Sequence, residues 1–311
     1  MKRGCVIGYD INEKGCQISY YDDSMEEPDT MMASSNNYLI PLVLGYFKDR
    51  WVFGKEAKRL AVVGEDCTET DLYGKAKRRE KVSLAGKTYD AVWLLAKYIS
   101  LTLQDFENIQ YLTFTTPETD VDMAKMLKGI GQHIGVDKEI INVQDYKESF
   151  CQYMIFQPKE LWQYESALFY CDEDRIKAYM LRRLRVDASH GMNSFVTVDE
   201  VANAQRKELE ALYPIMNKEK SPDESFKSMI ENVFEKKVIS SVYLTGEGFE
   251  KNWYPNSLRV LCNGRRAFMG NNLYSKGACY KSIRKCEPND DGPIYLDETK
   301  LTERICLRMR V

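Results

Sequence analysis

Apolar and polar positions along the chain fall into short blocks whose period keeps switching between two and about 3.6 residues. Residues 6–11 are apolar-rich, Asn12-Glu13-Lys14-Gly15 reads as a turn, and 16–21 alternate back, so the chain is predicted to open on a β-hairpin. A polar stretch covers 22–37, and a second strand pair is expected from 38–46 and 51–54, with a short helix at 55–62. Residues 64–80 are polar and read as loop. Val92, Leu95, Ala96, Ile99 and Leu103 recur at helical spacing and predict a helix over 90–106 with that face buried. A buried strand is expected at 110–115. The next helix should start with Thr116 as N-cap and Pro117 in its first turn, and stop at Gly135. A strand at 139–143 and a helix at 146–155 complete the first half.

The pattern then restarts. Residues 167–171 and 175–186 predict a second hairpin around the acidic turn Asp172-Glu173-Asp174. A Thr197…Glu200 capping box suggests a helix over 197–217, and Ser221 followed by Pro222 suggests another over 221–237. A strand at 238–244 leads into Thr245-Gly246-Glu247-Gly248; a strand at 258–261 and a helix at 275–284 follow. Residues 294–296 and 304–311 read as strands, so 288–311 is expected to be a β extension or the start of a further domain. Strands alternating with helices imply an α/β fold with mixed sheets. The repetition implies two lobes, 1–160 with an inserted subdomain at about 38–85 and 161–287, and an interlobe cleft between such lobes is where a ligand is expected.

Composition narrows the function classes. The 311 residues carry a formal net charge of -3, which excludes a strongly basic nucleic-acid footprint. The longest apolar stretch, 38–47, is half the length of a membrane span and contains a proline, and Asp10 interrupts any signal-like core. Nine scattered cysteines without a CxxC pair suggest reduced thiols, hence a cytoplasmic protein with no zinc site. His133 and His190 are too few for a His-rich metal site and read as structural. The basic run KAKRRE at 75–80 can either meet phosphate or form a solvated face. The motifs GxSxG, HExxH, GxxxxGK[ST] and strand-linked GxGxxG are all missing.

Six segments carry a resemblance when taken in order: VIGYDINEKGCQIS at 6–19, WVFGKEAKRLA at 51–61, TFTTPETD at 113–120, EIINVQDYKESF at 139–150, VYLTGEGFEKN at 242–252 and NNLYSKGACYKSI at 271–283. Together they resemble the superfamily of actin, sugar kinases and the ATPase domain of the seventy-kilodalton heat-shock chaperones, in a divergent bacterial branch. The resemblance implies an actin-like ATPase fold of two ribonuclease-H-like lobes, with ATP or ADP and magnesium between them. It would make Asp10 the metal-orienting carboxylate and Gln144 the residue that positions the attacking water. Lys14 would meet a phosphate, Gly246 and Gly248 would form the adenosine turn, and Gly277 would sit at a small-residue position of the closing helix. No protein side chain is implied as a direct metal ligand.

The phosphate turns depart from that pattern. The second is Cys171-Asp172-Glu173-Asp174-Arg175 where the family carries glycines and a hydroxyl residue. Glycine turns bind phosphate through converging backbone N–H groups, which side chains obstruct. Each carboxylate–phosphate pair at about 4–6 Å costs about 3–4 kcal/mol at an effective dielectric of about 20, and about 1 in water. Nucleotide binding is therefore expected to be weak or absent. Three readings stay open: a degenerate, non-hydrolysing scaffold or protein-binding module; an active ATPase or kinase with unusual turns; and an interaction protein without any nucleotide role. In the third, Tyr153, Trp162 and Tyr164 are the aromatic residues expected at a surface. A protein partner is expected, self-association is compatible with the family, and nucleic acid is not expected. The plainer readings are a strand-end carboxylate for Asp10 and a strand-to-helix turn for Gly246 and Gly248.

Overall fold

The computed structural model describes residues 4–35, 37–64, 67–184, 194–205, 221–251, 253–287 and 292–297. In chain order the elements are β1 (Cys5–Ile11), β2 (Gly15–Tyr21), β3 (Asp29–Thr30), β4 (Ile40–Pro41), β5 (Leu44–Phe47), β6 (Arg50–Phe53), α1 (Gly54–Val63), β7 (Thr68–Glu69), α2 (Leu72–Lys77), β8 (Lys81–Leu84), β9 (Lys87–Asp90), α3 (Ala91–Thr102), β10 (Ile109–Thr116), α4 (Val121–His133), β11 (Ile141–Asp145) and α5 (Tyr146–Ile155). They continue as β12 (Glu165–Cys171), β13 (Arg175–Leu184), β14 (Phe195–Gln205), α6 (Pro222–Phe234), β15 (Ile239–Thr245), α7 (Pro255–Leu261), β16 (Arg266–Met269), α8 (Leu273–Cys286) and β17 (Ile294–Tyr295). The chain divides into two units, Met1–Tyr153 with Asn272–Asp290, and Met154–Asn271 with Asp291–Val311. The helix that closes the pattern, α8, thus groups with the first unit and not with the 161–287 lobe expected from sequence.

In the first unit the sheet order is β11-β10-β1-β2-β3, with β4 against β2. The meander β1-β2-β3 is antiparallel, and β10 and β11 run parallel to β1. Strand period two splits β1 between two faces. Ile7, Tyr9 and Ile11 join the apolar core with Leu94, Leu95, Ile99 and Leu127 of α3 and α4, and the Tyr9 hydroxyl is 2.7 Å from Thr102 Oγ1. On the other face Gly8 lies under α8, where a Cβ would stand 2.1 Å from the Ser275 carbonyl oxygen and 2.2 Å from the Cys279 nitrogen. Only glycine allows this crossing. A small sheet, β6-β5-β7, and the hairpin β8-β9 complete the unit. Lys48 and Asp49 take positive φ in the two-residue turn between β5 and β6, the conformation that matches strand twist.

In the second unit the order is β16-β15-β12-β13-β14-β17. Again an antiparallel meander, β12-β13-β14, is extended on its first strand's other side by parallel strands β15 and β16. The two units therefore repeat one strand order and one set of polarities. Phe169, Phe226, Phe249 and Tyr254 fill the core between this sheet and α6 and α7. The architecture is α/β with mixed sheets.

Several expectations fail for identifiable reasons. Residues 197–205 form β14 instead of a helix: Phe195 to Gln205 pair along the whole of β13, and Glu200, opposite Tyr179, reaches diagonally to Lys177 at 3.6 Å. The remainder of that expected helix, 206–217, lies outside the described residues, as do 304–311 and His190. Residues 258–261 lie in helix α7, not a strand. Its first amides, Asn256 and Ser257, are accepted at 2.7 and 2.8 Å by the Asp223 carboxylate of α6, a cap supplied from 33 residues away. Thr116 ends β10 and bonds to the Glu118 carbonyl; the N-cap of α4 is Asp120, which accepts from Met123 N. The polar stretch 64–80 contains α2, anchored by buried Leu72, Tyr73 and Ala76. Two cations of its basic run are paired, Lys75 with Glu69 at 2.8 Å and Arg78 with Asp71 and Glu80 at 2.9 and 2.6 Å. Hairpin β8-β9 and strand β16 were not anticipated. Among the described residues no helix is long and apolar enough to cross a membrane.

Candidate functional site

The strand registers of the first unit assemble a polar row. Asp10 pairs with Gln17 on one side and Thr115 on the other, and Thr115 pairs with Gln144. All four are buried, and Asp10 is only 3% exposed. Alternation puts them on the Gly8 face of the sheet, away from the apolar core. Ser149, from the first turn of α5, ties the row together: its Oγ receives Gln144 Nε2 at 2.7 Å and lies 2.6 Å from Thr115 Oγ1. Gln17 Oε1 and Gln144 Oε1 are buried without a hydrogen-bond partner among the described residues.

Asp10 is held by protein groups. Tyr146, the first residue of α5, donates its hydroxyl to Asp10 Oδ1 at 2.8 Å and accepts from Asn12 Nδ2 at 3.0 Å. Its ring stacks on Tyr274 of α8 with centroids 3.7 Å apart. Burial raises the Asp10 carboxyl from 3.8 to about 7, and the Tyr146 hydrogen bond only partly opposes this. Tyr73 of α2 is also raised, first by burial and then by the charge of Asp10.

The hairpin turns of the two units have the same internal chemistry. In the first, Asn12 Oδ1 accepts from Lys14 N at 2.9 Å and Gly15 N at 3.2 Å, and Asn12 N donates to the Gly15 carbonyl. In the second, Asp172 Oδ1 accepts from Asp174 N at 2.8 Å and Arg175 N at 2.7 Å, and Asp172 N donates to the Arg175 carbonyl. Both are Asx turns. In each turn two backbone N–H groups are thus accepted by the turn's own side chain. The Lys14 side chain is exposed at its turn.

The remaining glycines are explained by packing. A Cβ on Gly277 would meet the Ser149 carbonyl at 2.0 Å, so this residue sets the approach of α8 to α5. The same two helices are linked by Lys281–Glu148 at 3.0 Å and Arg284–Gln152 at 3.0 Å. In the second unit Gly246 has φ +100, and its Cβ would stand 2.1 Å from the Cys171 carbonyl; a Cβ on Gly248 would meet Cys171 Sγ at 2.3 Å. The close approach these glycines permit is to the neighbouring β12-β13 turn.

Residues 27–298 match the family described as "Family of unknown function (DUF5716) C-terminal". The chain belongs to that family. No curated protein matches the chain in sequence. The DUF5716 match spans Gln144, Gly246, Gly248 and Gly277 and begins after the β1-β2 hairpin that carries Asp10 and Lys14.

The structure thus brings Asp10 and Gln144 into one row and leaves Lys14 outside it. Sequence reasoning missed Tyr146, Tyr274, Ser149, Gln17 and Thr115. A signal was present: Thr113 and Thr115, and Gln17 and Ser19, put polar side chains at every second position of strands that are otherwise buried. Of the aromatic residues expected at a surface, Tyr164 is exposed and Tyr153 half-buried, but Trp162 is buried beneath the Arg183 guanidinium, 5.0 Å from its ring.

Proposed function

We propose that this chain is a non-hydrolysing binding module, built on the design that actin, sugar kinases and the ATPase domain of the seventy-kilodalton heat-shock chaperones share, which engages a protein partner in the cytoplasm. Support for the design comes from the repeated strand order of the two units, with the first strand central in each. The glycine-mediated crossing of α8 over β1 is a second support.

One observation carries the non-hydrolysing part: the amides of both hairpin turns are accepted by Asn12 and Asp172. An N–H group has one proton. Redirecting those of Asp174 and Arg175 to a phosphate breaks bonds to a charged carboxylate, each worth about 1.5–3 kcal/mol, and leaves that carboxylate facing the anion. The turns do not fit ATP or ADP with its magnesium, so no chemical step is assigned to a nucleotide. The buried, tyrosine-bonded Asp10 fits a structural role better than that of a hydrated metal partner.

Thermal unfolding with and without millimolar Mg-ATP and Mg-ADP tests the reading, together with a turnover assay. The expected result is an unchanged Tm and no magnesium-dependent turnover near 1 per second, an ordinary enzyme rate of the order given by typical kcat values. Ligand at about 100 times its Kd stabilises by about 2.7 kcal/mol, which shifts Tm by several degrees. Such a shift would refute the proposal in favour of an ATP-binding ATPase or kinase. Loss of the shift in Asp10→Ala would then locate the site.

A further inference from the structure

A cavity at the surface of the second unit is independent of this reading. It is open to solvent, has a volume of about 350 Å³ and is lined by Glu160, Leu161, Ser240, Gly264, Arg265 and Arg266, of which Glu160 and Arg266 are exposed. Ser240 and Arg266 stand at the starts of β15 and β16, and Leu161 lies just before β12. The cavity therefore opens at the N-terminal ends of these parallel strands. The Asp172 and Gly246 turns leave the opposite, C-terminal ends.

Its walls are fixed from behind. The Leu161 carbonyl accepts from the Ser166 and Ser241 hydroxyls, both buried. Ser240 Oγ accepts from Tyr164 N at 2.8 Å, and its own hydroxyl proton has no acceptor among the described residues. Arg265 donates Nε to the Asn263 carbonyl at 3.1 Å and lies over Phe234, its guanidinium carbon 4.6 Å from the ring centre. Arg265 Nη1 is buried without a partner among the described residues. Burial also lowers the pKa of Arg265, as expected of a cation with no compensating charge nearby. Gly264 has φ +71, and a Cβ there would meet nothing within 4 Å, so the backbone between Asn263 and Arg265 is bare.

The charges of the lining are not used on one another. No ion pair within 4.0 Å joins Glu160, Arg265 or Arg266 to any described residue. Two guanidinium groups and a hydroxyl donor suit a planar carboxylate, which Arg binds in a fork. A lone carboxylate in the same lining suits an ammonium and disfavours a dianion. The volume lies within the range of small-molecule sites, about 300–1,000 Å³.

We propose that this cavity binds a small zwitterion of the amino-acid type, its carboxylate held by Arg265, Arg266 and the Ser240 hydroxyl and its ammonium by Glu160. The experiment is isothermal titration of the full chain with each of the common amino acids, and with acetate, ethylamine and inorganic phosphate as single-charge and dianionic controls. At least one amino acid is expected to bind with a Kd of about 1 mM or tighter, and acetate about tenfold more weakly. Arg266→Ala, at an exposed position, should weaken the amino acid at least about tenfold, and so should Arg265→Lys, which keeps the charge but loses the fork. Glu160→Gln should weaken the amino acid and leave acetate unchanged. The proposal is overturned if no amino acid binds below about 10 mM, if acetate or phosphate binds as tightly as the best amino acid, or if the Arg266 and Glu160 substitutions leave its affinity intact.

Discussion

The buried Asp10 makes a signed prediction about stability and pH. In the unfolded chain its carboxyl ionises near 3.8; in the folded chain burial moves this to about 7. Between those values the folded protein holds a proton that the unfolded chain has lost. Stability therefore falls as pH rises through this window and levels off above about pH 8. The shift is about three pH units at about 1.4 kcal/mol each, so Asp10 costs the ionised protein up to about 4 kcal/mol. The groups nearest it, Tyr146, Gln17, Thr115 and Tyr73, include no cation to offset this. Asp10→Asn keeps an oxygen to accept from Tyr146 and cannot ionise. Urea unfolding of variant and wild type, followed by tryptophan fluorescence at pH 5, 6, 7 and 8, isolates the effect because titration of every other group cancels in the difference. The Asp10→Asn protein should be the more stable at pH 8, and its advantage should grow by about 2–3 kcal/mol between pH 5 and pH 8. A difference that stays flat across this range, or a variant that is weaker throughout, would refute the reasoning and return Asp10 to the role of a hydrated, ionised carboxylate.

Gly8→Ala drives a methyl into backbone atoms of α8 at 2.1 and 2.2 Å and should cost about 3 kcal/mol or more in urea unfolding, the upper end for overpacking. Gly129→Ala in α4, where a Cβ meets nothing within 4 Å, should instead stabilise by about 0.5–1 kcal/mol. Tyr146→Phe removes the hydroxyl that serves Asp10 and Asn12; the loss should be about 1.5–3 kcal/mol at pH 8, where Asp10 is charged, and visibly smaller at pH 5. Asp223→Ala deprives Asn256 N and Ser257 N of their acceptor, while the Ser257 hydroxyl keeps the Asp223 carbonyl, so stability should drop by about 2–4 kcal/mol, with the fastest rise in amide exchange at 256 and 257.

Much of the fold was legible because it is encoded over a few residues. The opening hairpin needs only alternating apolar positions around an Asn-Glu-Lys-Gly turn. Helix α5 was expected at 146–155, the span it occupies. Ser221 caps α6 as read, accepting from Glu224 N, and Gly135 terminates α4 with φ +92. Period, caps and stops of this kind depend on neighbours within one turn of the chain.

What only the tertiary structure decided depends on groups far apart in sequence. Residues 197–205 carry a local helix signal, yet they pair with β13, because a ladder of backbone hydrogen bonds outweighs one capping box. Helix α7 exists where a strand was expected, because Asp223 accepts its first amides. The candidate site has the same origin. Asp10 could be picked out in the sequence, but its raised pKa comes from burial in the folded chain, and the Tyr146 that bonds to it lies 136 residues away. Gly246 and Gly248 were legible as a turn, but that their missing side chains make room for Cys171 follows from β15 lying beside β12. Local pattern selects the elements; which polar groups end up buried together, and so what they can do, is set by long-range packing.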